Sequence, residues 1–328
     1  MEEIEKIELE LNNDKPSIIK TNGEVLTAKN YITNPAIARE EEIKKLIMIL
    51  LTPEKSGLLV GKAGIGKTAI VEGLAYRIQK NDVPDNLKGY RVIKVSSSAL
   101  IGNIEIDGRE EMVINVFAEE VKKMSKVMIF IDEIHTLIGS KSSGPMDLAN
   151  ILKPLIDRGD AKLIGATTTM EYYTYIIRDR AFLRRFEKID VLEPDEETTT
   201  KILIESLPKM EKQTGIKFKY KDFVAKQIIE SIVSATSEYK RIYGLAAMYP
   251  DVAFSVLSQA FSQALFQNRQ EVELIDVYNA IKTSKRIYPD SIVKELAAFQ
   301  EKFEKLTAKE GIHLPDVTID DVEEIQEF

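Results

Sequence analysis

Between Tyr31 and Pro194 the chain alternates short apolar runs with longer amphipathic stretches, and after Pro194 the short runs fade. The strand-like runs are Gly57–Val60, Arg91–Ser96, Lys126–Ile131, Ala161–Ala166 and Lys188–Leu192. Their apolar residues tend to be consecutive, which marks strands covered on both faces. Arg109–Met124 and Pro145–Arg158, which lie between them, read as helices. Apolar strands alternating with helices predict an α/β fold, a doubly wound parallel sheet with helices on both faces. Past Pro194, the stretches Glu196–Ser206, Lys221–Ser237, Pro250–Asn268 and Leu274–Lys282 all carry a helical pattern and predict a smaller all-helical domain. The expected organisation is an acidic extension of marginal order over 1–25, an α/β domain over 26–194, a helical domain over 195–305 and an acidic tail over 306–328. The stretch Asp316–Glu327 holds six acidic residues and no basic one. It reads as a solvated segment, with partner binding as the lesser alternative.

One junction in this pattern carries chemistry. Gly61, Lys62, Ala63, Gly64, Ile65, Gly66, Lys67 and Thr68 fit G-x-x-x-x-G-K-[ST] at every fixed position. Leu58-Leu59-Val60 precedes it as a buried strand, and Ala69-Ile70-Val71-Glu72-Gly73-Leu74-Ala75 follows as a helix. A strand, a glycine loop and a helix N-terminus aim backbone N–H groups at a phosphate. In that arrangement Lys67 reaches the outer phosphates of ATP, and the Thr68 hydroxyl holds Mg²⁺.

Composition narrows the remaining possibilities. The 328 residues suggest about two domains, and with 44% hydrophobic and 30% charged residues the chain can build cores and still be solvated. A net charge of −8 argues against broad attraction to nucleic acid or an anionic membrane. With no cysteine there are no disulfides, thiolate metal sites or cysteine nucleophiles, and His135 and His313 are the two histidines. The acidic start Met1-Glu2-Glu3-Ile4-Glu5 lacks the pattern of a secretory leader, and no apolar run is long enough to span a bilayer. A cytoplasmic protein is the expectation.

Three further constellations lie downstream. Val127-Met128-Ile129-Phe130-Ile131 ends in Asp132-Glu133, and acids at the carboxyl end of a central parallel strand face the ligand crevice. Asp132 would bind Mg²⁺ directly or through water, and Glu133 would orient and polarise the attacking water. The strand Leu163-Ile164-Gly165-Ala166 ends in Thr167-Thr168-Thr169. A hydroxyl there touches the γ-phosphate or water on one reading and caps the next helix on the other, with equal weight. Arg178-Asp179-Arg180 and Arg184-Arg185 read as surface charge, as a small nucleic-acid patch, or as an arginine finger acting in cis or on a ring neighbour. His135 reads as a helix-start residue with a local hydrogen bond.

With these motifs in place, the chain resembles the first ATPase module of the Clp-type AAA+ protein unfoldases, from Asn34 to about Ala260. Asn34-Pro35-Ala36-Ile37-Ala38-Arg39-Glu40 is similar to the family's opening motif, which implies that Ile37 contacts adenine. The phosphate-loop text, Asp82-Val83-Pro84, Leu87-Lys88-Gly89, Asp132–Leu137 and Met146-Asp147-Leu148-Ala149-Asn150 also match. The resemblance places the family's first sensor on Thr168, its trans-acting arginines on Arg184 and Arg185, and a segment of its helical lid on Pro250-Asp251. It implies ATP bound where the two domains meet, within a homo-oligomeric ring, a hexamer, that remodels a protein client. The departures are also informative. Neither the family's N-terminal repeats, nor its coiled coil, nor a second phosphate loop occurs in these residues, so partnership with the Clp peptidase is not expected. At the substrate-gripping pore loop the family's Lys-Tyr-Arg-Gly becomes Glu105-Ile106-Asp107-Gly108, so the aromatic is lost and both charges are reversed. Competing functions are a regulatory ATP-dependent assembly switch without threading, a DNA-linked loader of the same superfamily, and a scaffold that binds nucleotide without hydrolysis.

Overall fold

The computed structural model describes residues 17–106, 108–138, 151, 161–242 and 248–326. It divides into two compact units, one made of 1–62 with 66–192 and the other of 63–65 with 193–328. The predicted helix Pro145–Arg158, the motif segment 146–150 and Asp107 lie wholly or mostly outside the described residues.

The first unit is built on a six-stranded sheet. Its strands and those of a separate hairpin are, in chain order, β1 (Gly23–Val25), β2 (Ser56–Val60), β3 (Arg91–Ser96), β4 (Asn103–Ile106), β5 (Arg109–Met112), β6 (Val127–Asp132), β7 (Ala161–Thr167) and β8 (Phe186–Asp190). The sheet order is β1-β3-β6-β7-β2-β8, with β1 antiparallel to β3 and the other pairs parallel. This is the mixed parallel sheet of the predicted α/β fold. Every residue of β2 is buried, as are all of β6 except Asp132, because helices cover both faces. Between β1 and β2 runs α2 (Glu40–Leu51), following the short α1 (Ile18–Asn22). Three glutamates in the first turn of α2 favour the helix dipole, and Ile43, Leu46, Ile49 and Leu50 form its buried face. Gly57 permits the close approach of α2 to the sheet, since a Cβ there would stand 2.4 Å from Leu46 Cδ1. Helix α3 (Lys67–Gln79) follows the phosphate loop, and α4 (Val113–Lys123) follows the hairpin β4–β5.

The second unit is helical. It contains α5 (Glu196–Thr214), α6 (Asp222–Ile242), α7 (Asp251–Phe266), α8 (Leu274–Thr283), α9 (Pro289–Glu310) and α10 (Ile319–Gln326). Asp195 caps α5 by accepting from the Thr198 amide at 2.7 Å. The core of the unit gathers Leu203, Ile229, Tyr249, Val256, Phe261, Tyr278 and Phe299. Among the described residues no helix is long and apolar enough to cross a membrane.

Four sequence expectations need correction. Residues 17–25, expected to be marginally ordered, form α1 and the edge strand β1, with Ile18 and Ile19 buried. Their amides donate to the two oxygens of Glu120 at 2.9 and 3.0 Å, so the partner that orders them lies a hundred residues away on α4. The helix expected over Arg109–Met124 begins at Val113, because Arg109–Met112 pairs with Asn103–Ile106 as a hairpin. Asp107-Gly108 stands between those strands in the sequence, a dipeptide that favours tight hairpin turns, and Gly108 has φ +76°. Helix α5 runs through Pro208 to Thr214 rather than stopping at Ser206. The expected tail boundary at 306 falls inside α9, which ends at Gly311 with φ +67°. Beyond it, Ile312, Leu314 and Val317 pack on the helical core, Val322 is fully buried, and the Tyr278 hydroxyl donates to the Pro315 carbonyl. Isolated apolar residues among the acids suffice to anchor the segment, at spacings that an acidic count does not register.

Candidate active site

The carboxyl ends of β2, β6 and β7 lie side by side. The Gly61 amide, just past β2, donates to the Thr167 carbonyl on β7 at 3.3 Å, and Ile134, just past β6, donates to Ala166 at 3.0 Å. The end of β7 therefore bridges the start of the loop 61–66 to the end of β6, which carries the acids. Gly64 and Gly66 have φ of +76° and +95°, conformations that glycine adopts without strain. Gly66 caps α3 with no side-chain hydrogen bond to the helix. Gly66 thus offers the first-turn amides of α3 no side-chain cap of its own, which suits an anion.

Lys67 bends back over this loop, donating to the carbonyls of Gly61 and Lys62 at 2.8 Å each. Burial pushes its ammonium below the ordinary lysine range, against the opposing pull of Asp132, then Glu171 and Glu133. The Thr68 hydroxyl donates to Asp132 Oδ2 at 3.1 Å. Asp132 Oδ1 in turn accepts from the Glu133 amide at 3.1 Å. Glu133 is exposed and sits at φ +51°, a left-handed conformation that is uncommon outside glycine and is found at functional sites. The oxygen-only pairing of a hydroxyl with a carboxylate is the donor chemistry Mg²⁺ prefers, so Thr68 and Asp132 fit that ion.

The remaining sequence candidates fall in different places. Ile37 is buried and follows Ala36, which packs against Gly73 of α3; a Cβ on Gly73 would lie 2.2 Å from Ala36 Cβ. The Thr168 hydroxyl accepts from the Glu171 amide at 3.3 Å and caps a short helix, one of its two predicted roles. Its neighbour Thr167 is buried, and its hydroxyl meets His135 Nδ1 at 3.1 Å. The hydrogen bond of His135 is therefore tertiary, to a residue 32 positions away, rather than the local one expected, and its ring stacks on Tyr175 at 6.2 Å and 13°. The two arginines differ: the Arg184 side chain is exposed, whereas Arg185 donates to the Ala181 carbonyl at 3.1 Å. Pro250 and Asp251 open α7 in the helical unit. Glu105 and Gly108 are exposed on the hairpin, but Ile106 is only 9% exposed and is no free apolar tip. Sequence reasoning missed Lys94, whose Nζ lies 3.9 Å from Asp132 Oδ2, and Glu171, whose Oε2 is buried without a hydrogen-bond partner among the described residues. Only the pairing of β3 with β6 brings Lys94 near Asp132, and no spacing announces it.

A phosphate loop at the end of one parallel strand, beside acids at the end of a second, defines a P-loop ATPase fold. Residues 57–191 match the ATPase family associated with various cellular activities, AAA. The chain is 35% identical over 312 residues to the chaperone protein ClpB of Mycoplasma pneumoniae, spanning 88% of this chain and 42% of that one. To the ClpB of Meiothermus ruber it is 37% identical over 273 residues, spanning 82% and 31%. It is similar in structure to Hsp104 of S. cerevisiae in its extended complex with casein, with a TM-score of 0.65 and 30% identity, covering 82% of this chain and 47% of that one. The chain belongs to the AAA+ ATPases, as a Clp-type module. It spans less than half the length of these relatives.

Proposed function

We propose that the chain hydrolyses ATP within a homo-oligomeric ring, a hexamer, and uses the reaction to remodel a protein or protein complex in the cytoplasm. The observation that carries this reading is the Thr68–Asp132 hydrogen bond, which joins the phosphate loop to the acidic strand end. ATP with its Mg²⁺ supplies the phosphoryl group to be transferred. Loop amides from Gly61 to Ala69 and the Lys67 ammonium bind the phosphates, and Thr68 with Asp132 holds the ion. Glu133 orients a water and accepts its proton at a carboxylate oxygen. Arg184, exposed on its turn, is the better candidate to neutralise phosphoryl charge on a neighbouring subunit; Arg185 supports that turn through Ala181. Ile37 and Pro250-Asp251 are proposed for the adenine and lid contacts, and Thr168 for the sensor. Relatives with the printed names of ClpB chaperones, and an Hsp104 captured with casein, support a protein client.

The test compares Lys67→Ala with Glu133→Gln. The first should lose nucleotide binding, and the second should bind but not turn over. Near-normal turnover in Glu133→Gln would falsify the assignment. One observation favours a second reading, an ATP-dependent assembly switch without threading: Ile106 is buried in its hairpin rather than presented to a passing chain.

A further inference from the structure

The Asp132 carboxylate has a third neighbour. Its Oδ1 takes the Glu133 amide and its Oδ2 takes the Thr68 hydroxyl. On the opposite strand, Lys94 Nζ stands 3.9 Å from that same Oδ2. Lys94 pairs in register with Phe130, and Ser96 pairs with Asp132. Alternate strand residues share a face, so the lysine stem runs up the sheet toward the acid for about 7 Å. The side chain is 30% exposed, well covered for a residue that usually projects into water. Its register partner on β1, Glu24, is ion-paired to Lys29 at 2.8 Å.

We propose that Lys94 is a positioning residue for Asp132 whose fixed positive charge occupies part of the role of the divalent cation, making nucleotide binding by this chain less dependent on Mg²⁺. The proposal rests on the nucleotide reading above. A carboxylate that already faces an ammonium has less attraction left for a cation arriving beside Thr68, and the two like charges repel. The same ammonium, added to Lys67, offers phosphate oxygens a second positive partner when no metal accompanies them. Lys94 therefore weakens the ion and strengthens the metal-free nucleotide, and the two effects act in the same direction on their ratio.

The experiment titrates the whole chain with N-methylanthraniloyl-ADP in excess Mg²⁺ and in EDTA, and takes the ratio of the two affinities. In Lys94→Met the advantage given by Mg²⁺ should rise by about fivefold or more over wild type, the lower end of ordinary coupling between two ligands. Lys94→Arg, which keeps the charge, should return the wild-type ratio. Circular dichroism checks folding; if Lys94→Met does not fold, Lys94→Gln removes the same charge and is read the same way. An unchanged ratio in a folded, nucleotide-binding neutral variant overturns the role of Lys94 and leaves the nucleotide site standing. A rise that Lys94→Arg fails to reverse also overturns it, since the stem rather than the charge would then matter. Wild-type protein that binds the probe in neither buffer overturns both this proposal and the nucleotide reading.

Discussion

The phosphate loop and the β4–β5 hairpin both leave the carboxyl ends of parallel strands, yet they are organised by different means. In the loop, Gly61 through Thr68 are neighbours by covalent spacing, and two glycines at positive φ suffice to turn the chain into α3. In the hairpin, the behaviour of Ile106 follows from its pairing with Arg109 and its burial, not from its own residue type. Glu105 stands directly opposite Glu110, a like-charge pair, and Asn103 donates to Glu110 at 2.8 Å. A motif made of consecutive residues keeps its meaning when the surroundings change. A pairing across a turn can alter which residue is presented, and so can weaken a functional reading made from aligned letters alone.

The largest test of this contrast is at the loop. Lys67→Ala should abolish nucleotide binding, while Glu133→Gln should keep binding and lose roughly 10²–10⁴ in turnover, the usual worth of a general base. Equilibrium binding and steady-state ATPase assays separate the two. Hairpin substitutions that lowered turnover as much as Glu133→Gln would break the comparison.

Comparable in size is the effect at the two arginines, which adjoin in sequence but differ in exposure and bonding. Arg184→Ala should keep nucleotide binding and lose about 10³–10⁵ in turnover, as expected for a finger that reaches a neighbour. Mixing Arg184→Ala with Glu133→Gln should restore part of the rate if subunits exchange, because some interfaces regain one intact site. Arg185→Ala should act chiefly on stability, through its lost bond to Ala181. Equal kinetic effects of both substitutions would erase the distinction.

A smaller effect belongs to α1, tied to α4 through Glu120. Glu120 is buried and satisfies the amides of Ile18 and Ile19, so Glu120→Ala should cost about 1–3 kcal/mol by leaving them unpaired. Urea unfolding measures the cost, and amide exchange should show early opening at residues 17–25. Unchanged exchange there would mean that β1 pairing alone holds the segment.

The smallest effect lies in the hairpin. Glu105→Lys replaces a like-charge pair with an opposite one and should stabilise the hairpin by about 0.2–1 kcal/mol, with basal ATPase nearly unchanged. If the hairpin also handles substrate, wild-type protein should process basic or neutral segments and reject acidic ones, and Glu105→Lys should relax that choice. A client-unfolding assay with acidic and basic tags reads this directly; no change with either tag favours the assembly switch.

The sheet was legible because β2 and β6 are apolar throughout, a pattern that burial on both faces requires. The candidate nucleotide residues were legible because phosphate-loop spacing places backbone amides, Lys67 and Thr68 within one turn of each other. The acidic segment beginning at 316 misled because charge dominates its composition, while Val317 and the fully buried Val322 anchor its described part. The hairpin was missed although Asp107-Gly108 signals one, because Arg109–Met112 continues smoothly into the amphipathic pattern of α4.

What the amino-acid order determined by itself is therefore local: the strand–loop–helix turn at 57–75, the apolar strands and the lone glycines that turn the chain. The tertiary structure alone decided which distant groups meet. Glu120 caps Ile18 across 102 positions, Lys94 reaches Asp132 because β3 lies beside β6, and Arg185 but not Arg184 turns inward to a carbonyl. The physical reason is range. Backbone sterics and covalent spacing act within a few residues, whereas sheet order, register and burial depend on the packing of the whole unit.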